Sequence, residues 1–232
     1  MKVGIMQPYF LPYLGYLQLI KSVDKFVVYD TIQYTKKGWI NRNRYLLNNQ
    51  PASFTIPIKK DSNYLYVNQR YLADDYLNYN KKTLRKLEQS YKKAPNFDKV
   101  FSLISDMFLF DKSNNLFDFI FHSLQLLTNN LEIETPFIKS SEIFGDDATL
   151  KSKNRVINLC KQLSADECIN PIGGAELYDK QDFKKEGLIL NFHKINRIEY
   201  AQFSHTHVPY LSVLDAMMFT DAKSLLNEYQ LL

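Results

Sequence analysis

Cysteine is scarce in this chain of 232 residues, which contains only Cys160 and Cys168. Both lie in or beside a segment with helical periodicity, and no other cysteine or histidine stands at metal-ligand spacing from them. Because two such thiols support neither a disulfide framework nor a zinc site, the sequence predicts no structural metal and no cross-linked scaffold. We therefore expect a reducing compartment, the cytoplasm.

Long apolar runs are also missing. No stretch approaches eighteen uninterrupted apolar residues, the length that a membrane-spanning helix needs. The chain starts with a strand-like segment rather than with a charged segment and a long apolar core. We expect neither secretion nor a membrane span.

The sequence has no strong charge of either sign. Its 29 basic and 25 acidic residues give a formal net charge of +4, a mild excess that suits an anionic small molecule better than nucleic acid. With 45% hydrophobic and 23% charged residues, the chain has the composition of one ordinary globular domain. Its oligomeric state is left open.

The first twenty residues predict a strand, a tight loop and a helix. Residues 2–6 form a short apolar run, and residues 13–22 repeat their apolar side chains at helical spacing. Pro8 and Pro12 stiffen the connection between them. Gly15, in the first helical turn, permits a close approach to the backbone, as by a phosphate at a helix N-terminus. Ligands of open α/β sheets gather at such a place.

A second predicted strand, residues 26–30, ends at Asp30, where the carboxyl edge of a sheet is expected. The following segment, residues 31–47, has polar and planar side chains at high density and predicts a binding loop. Arg42 is suited to hold a phosphate or carboxylate, and Trp39, the lone tryptophan, to stack on a base or sugar ring. A solvated turn with Trp39 in the core is the alternative.

The middle of the chain predicts mainly helices. Residues 53–58 alternate as a third strand, and residues 68–71 are expected to be extended. Helices are predicted at residues 76–93, 97–110 and 116–130, within a helical insertion of about residues 72–135. The prediction is one α/β domain, 1–232, with a mainly parallel sheet of about five strands flanked by helices.

The last third predicts strands at residues 136–141 and 187–192, a turn at 145–147 and a helix at 151–163. A short strand after Cys168 runs into Gly173 and Gly174, a turn able to present backbone N–H groups, although neither glycine spacing of a phosphate-binding fingerprint is met. Ser212 is expected to cap the last helix, with Asp215 completing a capping-box variant. His205 and His207 have no third ligand, so zinc is rejected.

Several stretches resemble the WbqC-like family, bacterial proteins associated with surface-polysaccharide gene clusters. They are residues 4–20 (GIMQPYFLPYLGYLQLI), 24–30 (DKFVVYD), 37–44 (KGWINRNR), 90–95 (SYKKAP), 170–178 (NPIGGAELY) and 211–215 (LSVLD). The resemblance covers nearly the whole chain. It favours the binding role of Trp39, Asn41 and Arg42, which belong to its most recognisable signature.

A weaker resemblance connects the N-terminus with nucleotidylyltransferase-like enzymes such as pantothenate synthetases. There a first strand leads to a His-x-Gly-His motif that opens a Leu-rich helix; here Tyr13 and Tyr16 stand at the histidine positions, on either side of Gly15. The resemblance implies a nucleotidylyltransferase-like fold. A neutral phenol donates one hydrogen bond to a phosphate but stabilises developing charge less than a histidine does.

Three functions follow from these resemblances. The first is an enzyme of surface-polysaccharide (O-antigen) biosynthesis that transfers an acyl or aminoacyl group to a nucleotide-linked amino sugar. The second is nucleotidylyl transfer or ATP-dependent carboxylate activation, and the third is a non-catalytic nucleotide-sugar binding protein. The cofactor is left open between an acyl thioester donor and ATP with Mg²⁺.

The predicted site combines a catalytic and a binding set. Asp30 is expected to act as the base, with Tyr13 and Tyr16 orienting the reacting groups. The predicted substrate-binding residues are Gln7, Pro8, Tyr9, Gly15, Gln33, Lys37, Trp39, Asn41, Arg42, Gly173, Gly174, Tyr178, Gln202 and Ser212.

Overall fold

A computed structural model describes residues 1–144 and 152–232 of the chain. The strands are β1 (Lys2–Met6), β2 (Lys25–Val28), β3 (Arg42–Leu47), β4 (Gln50–Thr55), β5 (Phe137–Lys139), β6 (Glu167–Pro171), β7 (Ile189–Ile195) and β8 (Tyr229–Leu231). The α-helices are α1 (Leu14–Lys21), α2 (Tyr76–Tyr91), α3 (Phe97–Phe108), α4 (Leu116–Asn130), α5 (Ser140–Phe144), α6 (Ser152–Gln162), α7 (Lys180–Lys185) and α8 (Val213–Phe219).

The main sheet has six strands in the order β5-β2-β1-β6-β7-β8. The first five of these run parallel, and β8 pairs antiparallel with β7 at one edge. The predicted α/β class with a mainly parallel sheet is therefore confirmed. The β8 strand was not predicted. The relation to the nucleotidylyltransferase-like fold stays a prediction.

Each face of the sheet carries its own hydrophobic cluster, because successive side chains of a strand point to opposite faces. Val3 and Ile5 of β1 join Val27 in a cluster that includes residues of α6 and α7. On the other face, Phe26 and Val28 join a larger cluster with residues of α1 to α4 and α8. This two-sided burial is what a parallel sheet requires.

A two-stranded antiparallel hairpin of β3 and β4 stands apart from the main sheet. Its register pairs Arg42 with Thr55 and Leu47 with Gln50. The turn residues Asn48 and Asn49 have φ of 51° and 59°, the left-handed conformation of a tight hairpin turn. The loop predicted for residues 31–47 was thus wrong in its second half, where the Asn-Asn signal closes a strand pair.

The three predicted central helices are present, although α2 and α3 end two residues earlier than expected. Asn115 caps α4 by accepting hydrogen bonds from the backbone N–H groups of Phe117 and Asp118. The segment expected to be extended at residues 68–71 instead begins within a short 3₁₀ helix, Val67–Gln69. Whether these helices are an insertion into one domain stays a prediction.

The C-terminal third differs from expectation at two helix starts. After β6 the chain forms a short 3₁₀ helix, Ile172–Gly174, and α7 begins only after Asp179, whose side chain accepts from the N–H of Gln181. Ser212 caps α8 through the N–H of Leu214, as predicted. The capping-box partner was wrong, because the Asp215 carboxylate bonds elsewhere.

The turn predicted at residues 145–147 and the first residue of the predicted helix at 151 lie outside the described residues. Near the start of α6, Lys153 forms an ion pair with Asp182, so this cation is balanced by a carboxylate of α7. No helix in the described part of the chain is both long enough and apolar enough to cross a bilayer.

Candidate functional site

The chain leaves the main sheet in opposite directions after β1 and β6, which are neighbours. After β1 it passes through α1 to β2 on one side, and after β6 it passes through α7 to β7 on the other side. In open α/β sheets such a reversal opens a crevice at the carboxyl ends of the two strands, where ligands bind. The geometry therefore places the candidate site beyond Met6 and Pro171.

A cavity of about 550 Å³ lies at this position. We call it the switch-point cavity. It is lined by Ile5, Met6, Gln7, Tyr9, Tyr13, Tyr29, Ile32, Trp39, Val156, Asn170, Pro171, Ile172, Gly173, Gly174, Leu177 and Tyr178. Seven predicted site residues meet here: Gln7, Tyr9, Tyr13, Trp39, Gly173, Gly174 and Tyr178.

Residues in the middle of the loop between β1 and α1 hold this loop in place beside the cavity. Phe10 is fully buried, and its ring lies 5.0 Å from that of Phe108 and 5.1 Å from that of Phe119 between centroids. Leu11 has a φ of 45°, a strained conformation for this residue type. Its carbonyl accepts hydrogen bonds from Asn43 Nδ2 at 2.6 Å and Ser212 Oγ at 2.7 Å, which hold it in place.

Four tyrosines in the lining have hydroxyl groups with no hydrogen-bond partner among the described residues: Tyr9, Tyr13, Tyr29 and Tyr178. The tyrosine hydroxyls that do form hydrogen bonds belong to residues outside this lining. Because a phenol both donates and accepts a hydrogen bond, these groups are available to a ligand that carries several polar atoms.

These phenols stay neutral near pH 7. Burial raises the pKa of Tyr9 and that of Tyr29 to about 12, and the nearby Arg155 opposes the rise at Tyr29. Burial also raises the pKa of Tyr13 and that of Tyr178. The four hydroxyls can therefore donate to a ligand but do not serve as anionic bases.

The remaining polar lining includes two amides, the indole ring of Trp39 and backbone groups. The Gln7 side chain has no partner in the described structure, and Asn170 has only a weak contact from Nδ2 to the Cys168 sulfur at 3.5 Å. Gly173 has open space where a Cβ would stand, with no atom within 4 Å. No charged side chain is part of this described lining.

Cationic groups instead lie at the rim, beside Trp39. The guanidinium groups of Arg42 and Arg44 lie 5.2 and 5.3 Å from the centroid of the Trp39 ring. Arg42 also donates to the carbonyls of Lys37 and Gly38, which holds this turn of the predicted binding loop. Lys37 is exposed on that turn.

Two predicted residues of α1 lie beneath the cavity rather than in its lining. Tyr16 is fully buried and donates from its hydroxyl to the carbonyl of Gln7 at 2.9 Å, so it positions the loop. Gly15 permits a close approach, as predicted, but the approaching group is the Tyr13 ring. A Cβ on Gly15 would stand 2.6 Å from Tyr13 Cε2. Pro8 is buried in the same loop.

Asp30, the predicted base, is 1% exposed behind the cavity wall. Its carboxylate accepts from Ser140 Oγ at 2.7 Å, from the N–H of Ser141 at 2.9 Å and from Asn68 Nδ2 at 3.1 Å. These bonds join the ends of β2 and β5. Asp30 does not line the cavity, and its role as a base stays a prediction.

The same network reaches a buried cation. Arg155 donates to Thr31 Oγ1 at 2.8 Å, and Thr31 Oγ1 lies 2.7 Å from Ser140 Oγ. Because the single proton of the Ser140 hydroxyl goes to Asp30, Thr31 must donate to Ser140. The chain of hydroxyls thus links Arg155 to Asp30 and stiffens the wall behind Tyr29, whose ring lies 5.5 Å from the guanidinium.

The other predicted binding residues are engaged with the protein. Gln33 donates to the carbonyl of Asn63, and Asn41 connects the Tyr34 hydroxyl with the carbonyl of Ile56. Gln202 bonds Asp215 and Val208. Ser212 donates to Leu11 and lines a second cavity rather than the first.

Sequence reasoning missed Tyr29 and Asn170 as lining residues. Tyr29 directly follows β2 and Asn170 lies at the carboxyl end of β6, so the rule that ligands bind at strand ends was the available signal. It also missed Asn43, whose hydrogen bond holds Leu11. That contact joins two segments that are distant in sequence, and no local pattern indicates it.

The sequence profile of the WbqC-like protein family matches residues 7–226, nearly the whole chain. The chain belongs to the WbqC-like protein family. The family match thus includes the loop over the cavity, the Trp39 turn and the strand end at Asn170, and the resemblance expected from the sequence is confirmed. No three His, Cys, Asp or Glu side chains gather as a possible metal site in the part of this WbqC-like protein that is described.

Among curated proteins, this WbqC-like chain is similar to an uncharacterized protein of Mycobacterium tuberculosis strain ATCC 25618 / H37Rv, Rv1507c. The two are 26% identical over 224 residues, which cover 96% of this chain and 95% of that protein. The similarity therefore extends over both chains from end to end. No solved structure matches the chain significantly.

Proposed function

We propose that this WbqC-like protein is a transferase of surface-polysaccharide biosynthesis that binds a nucleotide-linked amino sugar in the switch-point cavity and attaches an acyl or aminoacyl group to it. One observation carries the proposal: an uncharged cavity in which four tyrosine hydroxyls and the Gln7 amide have no partner among the described residues. A sugar ring, neutral and rich in hydroxyls, complements such a lining.

The charge distribution orients the ligand. The guanidinium groups of Arg42 and Arg44 lie at the Trp39 rim and Lys37 is exposed on the adjoining turn, while the interior is neutral. The diphosphate of a nucleotide-linked sugar would therefore lie at the rim, with the sugar inside. Exposed apolar side chains also surround the opening, with Ile172 41% and Leu177 71% exposed, and they offer a surface for the base.

If the acyl donor is already an activated thioester, the protein needs only to bind and orient the two reactants. The sugar amine attacks the carbonyl carbon of a thioester, a C–N bond forms and the C–S bond breaks. The amine loses a proton and the leaving thiolate takes one up. In this proposal Gln7 and Tyr13 orient the reactants, Tyr16 supports Gln7, and Asp30 positions the Tyr29 wall.

A second candidate, a non-catalytic nucleotide-sugar binding protein, is favoured by the absence of any carboxylate, histidine, cysteine, serine or lysine from the described lining. A third, nucleotidylyl transfer or ATP-dependent activation, has less support because Tyr16, at the position of a triphosphate-stabilising histidine, donates to Gln7 instead.

Thermal-shift measurements with UDP-glucosamine, UDP-glucose, acyl thioesters, and ATP with and without Mg²⁺ separate the three, since a ligand that prefers the native state raises the midpoint. A shift with UDP-glucosamine followed by formation of an amide product supports the transferase. Saturable binding without product supports the binding protein. A shift with only ATP and Mg²⁺, with release of pyrophosphate, overturns both.

A matched variant tests the location. Gly173→Ala adds one methyl group to open space without backbone strain, so the unfolding midpoint of the unliganded protein should stay the same or rise slightly. If the sugar lies against Gly173, its affinity should fall several-fold. Unchanged affinity for UDP-glucosamine would place the ligand elsewhere.

A further inference from the structure

A second cavity, of about 270 Å³, adjoins the switch-point cavity. We call it the α8 cavity, after the helix whose first residues line it. Its wall includes Leu14, Ile195, Ile198, Leu211, Val213 and Ala216. Tyr13 belongs to the lining of both cavities, so the two cavities meet at this residue.

The polar groups of the α8 cavity are mostly engaged within the protein. The Tyr200 hydroxyl donates to Asp215 at 2.8 Å, and the Ser212 hydroxyl donates to the carbonyl of Leu11. His207 Nδ1 lies 3.2 Å from the carbonyl of Tyr200, and Arg197 forms an ion pair with Glu199 at 2.5 Å. The Asn196 amide and the Tyr210 hydroxyl have no hydrogen-bond partner among the described residues, and the rest of the surface that remains for a ligand is mainly apolar.

The wall of this cavity includes strained backbone. Tyr210 has a φ of 58°, uncommon for a residue with a side chain, and its carbonyl accepts from Arg44 at 3.0 Å. Leu11, with a φ of 45°, precedes Tyr13 by two residues. Such conformations persist where the surrounding structure over-determines them, and they concentrate at ligand sites.

We propose that the two cavities form one composite site, with the sugar in the switch-point cavity and a short apolar acyl group of the second substrate in the α8 cavity. The inference rests on the proposed function and specifies its acyl donor. The sugar amine and the acyl carbonyl meet at Tyr13, whose hydroxyl has no partner among the described residues. The smaller volume limits the acyl group to a few carbons beyond the carbonyl.

The test measures binding of two probes, UDP-glucosamine and butyryl-pantetheine, by titration calorimetry on the full chain. Ile198→Trp fills the α8 cavity from a half-buried wall position, and Gly173→Leu fills the switch-point cavity. We expect Ile198→Trp to lower the affinity for butyryl-pantetheine at least tenfold and to leave the affinity for UDP-glucosamine unchanged. Gly173→Leu should lower the affinity for UDP-glucosamine and leave that for butyryl-pantetheine unchanged. Pro209→Trp, at an exposed wall position, repeats the first test should Ile198→Trp fail to fold.

The outcomes distinguish the inference from the proposed function. If UDP-glucosamine binds and butyryl-pantetheine does not, even with the sugar nucleotide saturating, the composite site is wrong and the proposed function stands. If both bind but the filling variants of the α8 cavity leave butyryl-pantetheine affinity unchanged, the acyl group lies elsewhere. If UDP-glucosamine itself does not bind, both proposals fail.

Discussion

Tyr13 is the residue at which the candidate site converges. Its ring occupies the space that a side chain on Gly15 would need, and it lines both cavities. A histidine-like role in phosphate binding was one reading of this position. Burial raises the pKa of this phenol, so in the proposed composite site it acts as a neutral donor between the two ligand groups.

Tyr13→Phe tests this role. The hydroxyl has no partner among the described residues, so its removal should leave the free energy of unfolding unchanged. The substitution should lower the affinity for UDP-glucosamine about fivefold, which is the effect of losing one neutral hydrogen bond. Calorimetric titration measures the affinity, and Tyr64→Phe, at a position 84% exposed, is the control. Equal affinity in Tyr13→Phe and wild type would remove the hydroxyl from the site.

His193, in β7, predicts a pH dependence of stability. Burial lowers its pKa to about 4, so the folded protein keeps it neutral while the unfolded chain binds a proton below pH 6.5. The unfolded state then binds more protons, and stability rises with pH between about 4 and 6.5. Protonation of His193 in the unfolded chain should lower the free energy of unfolding by about 2 kcal/mol as the pH falls through that window.

Denaturation midpoints of wild type and His193→Phe, compared at pH 4.5 and 7, check this prediction. The variant should show a smaller loss on acidification, whereas His205→Gln, at an exposed position, should behave as wild type. An equal change in midpoint between pH 7 and 4.5 for wild type and His193→Phe would contradict the role of His193. The comparison between variants matters because Asp and Glu carboxyl groups also change protonation as the pH falls toward 4.

At the scale of elements, Asp215 joins three parts of the chain. Its carboxylate accepts from the Tyr91 hydroxyl at 2.7 Å, the Tyr200 hydroxyl at 2.8 Å and Gln202 Nε2 at 2.6 Å. These bonds connect α8 with the end of α2 and with the loop before α8. Burial raises the pKa of Asp215, and the three donors oppose that rise. The buried charge is thus stabilised by neutral donors.

Asp215→Ala should destabilise the protein by about 3–5 kcal/mol, because three buried donors lose their acceptor. Asp106→Ala, at an exposed position in α3, is the matched control and should change stability by less than about 0.5 kcal/mol. Urea denaturation measures both. If Asp215→Ala lowered the free energy of unfolding as little as the control does, the three donors would have found other partners.

At the scale of the molecule, one hydrophobic cluster joins the sheet, the hairpin and the helices. Phe10 illustrates this continuity, since its ring contacts Phe54 of β4, Phe108 of α3 and Phe119 of α4. Buried surface shared in this way couples the unfolding of its parts. The central helices therefore lack a separate core.

We expect one cooperative unfolding transition. Far-UV circular dichroism, which reports the helices, and fluorescence of Trp39, which reports the cavity rim, should give the same midpoint in urea. Phe108→Leu should lower both midpoints together, because the cavity it creates adjoins Phe10. Ile157→Val, in the cluster on the other face of the sheet, is a control of similar chemistry. Separate transitions in wild type would show that the helices form an independent domain.

Much of the fold and about half of the site followed from local pattern. Strand ends could be located because apolar runs stop there, which pointed to Gln7, Gly173 and Gly174. Tyr9 and Tyr178 belong to the stretches that carry the family resemblance. The polar residues of the 31–47 segment were a poorer guide. Asn41 and Arg42 bond backbone carbonyls of their own region, and sequence does not distinguish a polar group kept for a ligand from one that secures a turn.

Local patterns were enough to predict the α/β class, the central helices and the family, because periodicity and short motifs act over a few residues. Which polar groups remain available to a ligand depends on the three-dimensional arrangement of the chain. Pairing of β1 with β6 brought Asn170 and Gln7 into one cavity lining, and Asn43 and Ser212 met at the carbonyl of Leu11. Hydrogen bonds between distant segments depend on three-dimensional proximity, so local sequence patterns do not indicate them. Asp30 and Gln202 form such bonds outside the cavity lining, whereas Tyr13 lies within it.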